Sequence, residues 1–224
     1  IVPAAILFDL RVGDFRVRPD RTMGYRACQA ATSEVIEEGS VGAGTGATVG
    51  KLMGIECAMK GGLGTSSLTL PNGVAVGALV VVNAFGDVID PDTGQILAGL
   101  RNGPNGMDLI DTAAQMRAGV SPRGYSREST TLVAVATNAR LSKVEATKLA
   151  QQAQLGLART IRPVHTTLDG DAIFVLATGR VAADLNALGV VAADAVAQAV
   201  VRAIKLATGF GGVPSFADLN SMKS

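Results

Sequence analysis

The chain has 224 residues, of which 48% are hydrophobic and 17% charged, with a formal net charge of +1. That excludes a disordered or collagen-like chain and gives enough material for one good core, so a single domain over residues 1–224 is expected. The near-neutral balance, with no long basic run, argues against nucleic acid or an acidic membrane surface as partner. Aromatics make up only 4% and tryptophan is absent, so the core must be built from Ala, Val, Leu, Ile and Gly. The two cysteines, Cys28 and Cys57, form no CxxC pair, and one histidine cannot complete a usual zinc set, so no metal is expected and both thiols read as buried and reduced.

In chain order, Ala4-Ala5-Ile6-Leu7-Phe8 is short, apolar and bounded by Pro3 and Asp9, which predicts a buried strand. Asp20 then caps a helical stripe of Met23, Ala27, Ala30, Ala31 and Val35 that stops at Gly39. A Gly-rich stretch runs from Gly42 to Lys51. Strands are predicted over residues 66–70 and 74–82, joined by a Pro71-Asn72-Gly73 turn, with Asn83 at the end of the second. Val88-Ile89 and Gln95-Ile96-Leu97 read as another hairpin. Residues 99–129 form a long polar segment with one weak helical patch, long enough to be either functional or disordered.

From Thr130 to Thr137 the chain is β-rich and apolar on both faces, which predicts a central strand. Ser142 and Glu145 make a capping box ahead of Ala146, Leu149, Ala150, Ala153 and Leu157 on one helical face. Residues 172–177 read as a further buried strand. Residues 185–207 read as a buried helix and not a membrane span, because Asp194, Gln198, Arg202 and Lys205 interrupt it. Alternating helices and strands with hairpins predict a layered α/β or α+β fold. With no recognisable secretory signal, a cytoplasmic location is expected.

Several motifs fail. A phosphate loop ending at Gly50-Lys51 would need Gly where Thr45 stands and Ser or Thr where Leu52 stands. A dinucleotide fingerprint would need an apolar strand before Gly42, where the chain has Glu37-Glu38-Gly39-Ser40. No Gly-x-Ser-x-Gly elbow is present, and His165 reads as a buried, hydrogen-bonded histidine. Asp169-Gly170-Asp171 starts like a calcium loop but lacks the later ligands, so on residues alone it reads as a tight turn with exposed carboxylates.

Ser129-Thr130-Thr131 stands where the long polar segment meets the central strand. An N-terminal nucleophile needs such a place: a hydroxyl at a strand end, after a linker able to leave. Its own α-amino group, with a pKa of about 8, then serves as base, and no histidine is required. Taken alone, Thr-Thr at a strand start is equally explained by β propensity.

The chain resembles the L-aminopeptidase/D-esterase family (peptidase family S58, DmpA type), whose relatives include β-peptidyl aminopeptidases and endo-type 6-aminohexanoate-oligomer (nylon) hydrolases. The matching stretches are Val2-Pro3-Ala4-Ala5-Ile6-Leu7-Phe8-Asp9, the Gly42-to-Lys51 run, Val80-Val81-Val82-Asn83, Ser129-Thr130-Thr131 through Ala139, Gly156-Leu157-Ala158-Arg159, and His165 through Asp171. The resemblance implies an αββα four-layer sandwich of the DmpA and ornithine acetyltransferase type, with an N-terminal-nucleophile character. It implies self-cleavage after Ser129, giving an α-subunit of residues 1–129 and a β-subunit of residues 130–224. Thr130 is then the nucleophile, and Lys51 the cation beside its amine and hydroxyl. Asn83 is the amide that donates to an oxyanion, and Asp169 and Asp171 are the pair orienting the nucleophile.

The same resemblance implies an aminopeptidase-like hydrolase of small peptide, amide or ester substrates, without metal or organic cofactor. The assembly expected is a homo-oligomer, a tetramer of processed heterodimers. The family commonly has Asn or Gly where Ser129 stands. The match also starts inside the family pattern, so an amino-terminal portion with further Gly-rich motifs and an oxyanion-hole tyrosine is expected to be missing. Three other readings compete: a nylon-oligomer endohydrolase, an inactive truncated scaffold, and an acyltransferase resembling ornithine acetyltransferase.

Overall fold

β-branched runs at the chain's centre pair into one sheet, and two long helices cover one of its faces. The computed structural model describes residues 3–123 and 129–223. Its elements are α1 (Arg21–Gln29), β1 (Thr48–Val49), β2 (Met59–Lys60), β3 (Gly62–Thr69), β4 (Ala75–Asn83), β5 (Asp87–Ile89) and β6 (Ile96–Ala98). There follow α2 (Thr112–Arg117), β7 (Thr130–Ala139), α3 (Lys143–Thr160), β8 (Ile161–Arg162), β9 (Ala172–Val181), α4 (Leu185–Lys205) and α5 (Phe216–Lys223). The main sheet has the order β3-β4-β7-β9. Its first three strands pair antiparallel and β7 runs parallel to β9. A smaller sheet, β6-β5-β8, and the two-residue pair β1-β2 lie beside it. The chain is thus a mixed α/β fold, as expected.

β7 is central, between β4 and β9. Val133, Val135, Thr137 and Ala139 point into the core while the intervening residues are half-buried or exposed, so its burial alternates despite an apolar sequence on both sides. The core face packs on α3 and α4. The capping box starts α3: Glu145 N–H donates to Ser142 Oγ at 3.3 Å, and Ser142 N–H donates to Glu145 Oε2 at 2.7 Å. Leu149, Ala153 and Leu157 form its buried stripe. Asp184 caps α4 by accepting from Ala187 N–H at 2.8 Å. Among the described residues α4 is the one helix long and apolar enough to cross a membrane. It instead lays Leu188, Ala192, Ala195, Val196, Ala199 and Val200 against β3, β4 and α3. Burying a side chain such as Leu188 contributes about 1.5–3 kcal/mol.

Four expectations are corrected. Residues 4–8 form no strand: they pair with no described strand, and only Leu7 packs on a small cluster with Ala47, Leu63 and Val81. The first helix stops at Gln29, because α1 buries none of its residues and so gains nothing from packing; Thr32 Oγ1 then draws Glu34 N–H into a local turn at 3.1 Å. β9 is half-buried to exposed, with Leu176 at 59% exposure. Cys28 is exposed, whereas Cys57 is buried and its thiol is pushed up by that burial.

Candidate active site

The carboxyl-terminal end of β4 meets the start of β7, and the two strands register Asn83 opposite Thr130. The Gly-rich loop runs alongside. Gly50 N–H donates to Gly86 O at 2.9 Å and Lys51 N–H to Phe85 O at 3.0 Å. Gly50 has φ +73°, and a Cβ there would lie 2.0 Å from the Gly99 carbonyl carbon, so only glycine fits. This delivers Lys51 to the strand ends. Its Nζ donates to Asn83 Oδ1 at 2.7 Å, to Asn83 O at 2.9 Å and to Ser129 Oγ at 3.4 Å. Asn83 is fully buried; its Oδ1 also accepts from Thr48 N–H at 3.0 Å and its Nδ2 donates to Phe8 O at 3.2 Å.

The Gly-rich loop is itself pinned by a lysine that pattern reading passed over. Lys60 is fully buried and donates to Thr45 O at 2.6 Å, Ala47 O at 2.8 Å and Gly44 O at 3.4 Å. Burial pushes its pKa down to about 8, partly opposed by the charge of Asp9.

Ser129 is buried and continues the parallel ladder beyond β7 through a bridge to Asp169. Its N–H donates to Leu168 O at 3.4 Å, and its carbonyl accepts from Gly170 N–H at 2.8 Å. The Thr130 hydroxyl donates to that same carbonyl oxygen at 2.6 Å. The carbonyl between Ser129 and Thr130 therefore accepts from two donors, of which Gly170 N–H is placed to hold a developing oxyanion. A Cβ at Gly170 would sit 3.1 Å from Thr130 Oγ1, so a side chain here would press the hydroxyl aside by a few tenths of an ångström.

The two aspartates flanking Gly170 do different work. Asp169 is a brace: Oδ1 accepts from Phe85 N–H at 3.0 Å, and Oδ2 accepts from Thr166 Oγ1 at 2.5 Å and Thr166 N–H at 3.2 Å. It ties the turn to the end of β4. Asp171 faces the start of β7. Its Oδ1 accepts from Thr131 N–H at 2.7 Å and its Oδ2 pairs with His165 Nδ1 at 2.8 Å. The Asp171 side chain is only 5% exposed, and burial raises its carboxyl pKa; the Thr131 N–H lowers it, Asp169 raises it and His165 lowers it. The turn thus holds no pair of exposed carboxylates, and His165 is partly exposed instead of buried.

Lys51, Asn83 and Ser129 are in direct contact, Thr130 and Gly170 meet at the Ser129 carbonyl, and Asp171 holds the next amide, Thr131 N–H. A small cleft of about 30 Å³ opens against Lys51, walled by Phe8, Asp9, Arg11, Thr48 and Arg123. Residues 124–128, the end of the segment expected to leave, lie outside the described residues. Among the described residues no group of three or more His, Cys, Asp and Glu is placed to hold a metal ion. Pattern reading missed Gly170 N–H and His165. The small residue between two carboxylates was the available signal for the first, and the His165-to-Asp171 spacing for the second.

The start of β7 thus carries a hydroxyl, Thr130, against a carbonyl held by a turn amide, with Lys51 reaching the neighbouring Ser129 hydroxyl. The family model of peptidase family S58 matches residues 1–215, and the chain belongs to that family. It is 41% identical to an uncharacterized aminopeptidase of Mycobacterium leprae over 96% of this chain and 64% of that protein. It is 29% identical to the 6-aminohexanoate-oligomer endohydrolase of a Kocuria species, over 92% of this chain and 61% of that enzyme. The chain therefore spans less than two thirds of the length of these relatives. In fold it is similar to the L-aminopeptidase D-Ala-esterase/amidase of Ochrobactrum anthropi, described as a variant of the Ntn hydrolase fold. That match has a TM-score of 0.62 and 22% identity over 90% of this chain and 55% of that one.

Proposed function

We propose that the chain cleaves itself between Ser129 and Thr130 and then acts as an amide and ester hydrolase with Thr130 as nucleophile. The observation that carries the reading is the Ser129 carbonyl, which takes the Thr130 hydroxyl at 2.6 Å and Gly170 N–H at 2.8 Å. In the first phase Thr130 Oγ adds to the Ser129 carbonyl carbon and Gly170 N–H holds the resulting oxyanion. As the C–N bond breaks the Oγ proton passes to the nitrogen, leaving an ester on Thr130 Oγ and a free amine on Thr130; water then hydrolyses the ester. In the second phase that amine takes the hydroxyl proton, Oγ attacks a substrate carbonyl, the substrate's C–N or C–O bond breaks as its amine or alcohol leaves with that proton, and water hydrolyses the acyl-enzyme.

Lys51 supplies positive charge beside the Ser129 hydroxyl, in the space the substrate's acyl part takes over once Ser129 has left. Asn83 fixes the Lys51 ammonium through its carbonyl and side-chain oxygens, and Asp171 fixes the start of β7. Family membership supports peptide, amide or ester bonds as the target; relatives named as an aminopeptidase and as a nylon-oligomer endohydrolase mark the two ends of the range. Assembly as a homo-oligomer of processed heterodimers in the cytoplasm belongs to the same proposal.

Intact mass and amino-terminal sequencing of the purified protein test it. Two fragments, the second beginning Thr130-Thr131-Leu132, are expected, and Thr130→Ala should remove both cleavage and turnover. An intact chain that still hydrolyses amino-acid p-nitroanilides or aminohexanoate oligomers would falsify the self-processing mechanism.

A further inference from the structure

We propose that His165 is a positioning residue for this site, clamping the Asp171 carboxylate so that one oxygen stays on Thr131 N–H next to the nucleophile. The inference rests on the reading of Thr130 as nucleophile. Two independent observations carry it. The first is the pair itself: His165 Nδ1 lies 2.8 Å from Asp171 Oδ2, while Oδ1 is taken by Thr131 N–H at 2.7 Å, so both carboxylate oxygens are fixed. The second is the backbone. Among the described residues His165 is the one non-glycine with positive φ, at +53°. Glycine would hold that conformation at lower cost, and such conformations persist where the surroundings enforce them.

Among the described residues three groups bear on Asp171. They are His165 from the loop ahead of β9, Asp169 from the same turn, and the Thr131 N–H dipole from β7. Burial and Asp169 oppose ionisation of Asp171; His165 and Thr131 N–H favour it. A cut after Ser129 places a new amine on Thr130, one residue from the amide that Asp171 holds. A negative Asp171 keeps the start of β7 in place and favours the ammonium that forms when that amine takes the hydroxyl proton. Without His165 the carboxylate loses the side-chain partner on Oδ2.

The variants separate pairing from backbone comfort. His165→Gly suits the positive φ but removes the ring, whereas His165→Asn tolerates that φ and keeps a side-chain N–H donor. For the processed enzyme acting on an amino-acid p-nitroanilide, His165→Gly should lower kcat by roughly 10- to 100-fold with little change in KM. Its acidic limb should move to higher pH, because Asp171 then ionises later. His165→Asn should recover most of kcat. A wild-type pH profile in His165→Gly overturns the proposal.

A second measurement does not need activity. The chain has a single histidine, so its ring C–H signals are unique in the NMR spectrum. In uncleaved Thr130→Ala protein these signals should show an inflection from Asp171 above the usual carboxylate range, and Asp171→Asn should abolish it. If the wild type neither cleaves itself nor turns over substrate, the nucleophile reading fails while this titration still decides the pairing. Absence of the inflection overturns the pairing itself.

Discussion

The front of the chain and the strand seam around Thr130 have similar apolar content and opposite fates. Ile6, Phe15, Val17, Tyr25 and Val35 are all more than half exposed, and α1 buries nothing. From Thr130 onward, comparable runs become β7, α3 and α4 and supply much of the main core. Both regions carry correct local signals, including a helix cap at Asp20 and another at Ser142. What separates them is a partner surface: α3 and α4 find a sheet face and each other, while α1 finds none among the described residues. Local pattern determines what a segment can become, and burial determines whether it does.

The contrast can be broken or sharpened by measurement. In the packed region, Leu149→Ala should lower unfolding free energy by about 2–5 kcal/mol, read from the denaturant midpoint. A loss below about 1 kcal/mol would mean the α3 stripe is not core. A pH scan probes the buried pin between the regions. Lys60 has its pKa depressed to about 8 from 10.5, so the folded state gives up its proton before the unfolded chain does. Stability should therefore rise as pH climbs from about 8 to 10.5, by about 3 kcal/mol, and Lys60→Met should remove this rise. At the front, Phe15→Ser should change stability by no more than about 0.5 kcal/mol, since Phe15 is 58% exposed. A larger loss would show that the front is packed in solution.

The seam was the most legible part of the sequence. Turn residues at Pro71-Asn72-Gly73, the capping box at Ser142 and Glu145, and the long stripe of α4 each encode their element locally. β8 and α5 were not foreseen: β8 is two residues long and owes its existence to pairing with β5, and α5 follows a short Gly-rich turn with only a weak apolar stripe. In the site, side chains were legible and backbone donors were not. Thr130, Lys51, Asn83 and Asp171 stand out through the family resemblance, whereas Gly170 acts through an N–H that every residue but proline possesses. The difference between Asp169 and Asp171 was equally hidden, because it depends on which backbone amides the fold brings to each.

The bridge between Ser129 and Asp169 has a consequence for timing. The bond proposed to be cut lies inside the β7–β9 ladder, and the residue ahead of it is held through its own N–H to Leu168 and its carbonyl to Gly170. A severed chain would still have its fresh carboxyl end lodged in the place a substrate must enter, facing Lys51. Scission and readiness are then separate events, and newly cut protein would show a lag before full turnover while the old end peels away.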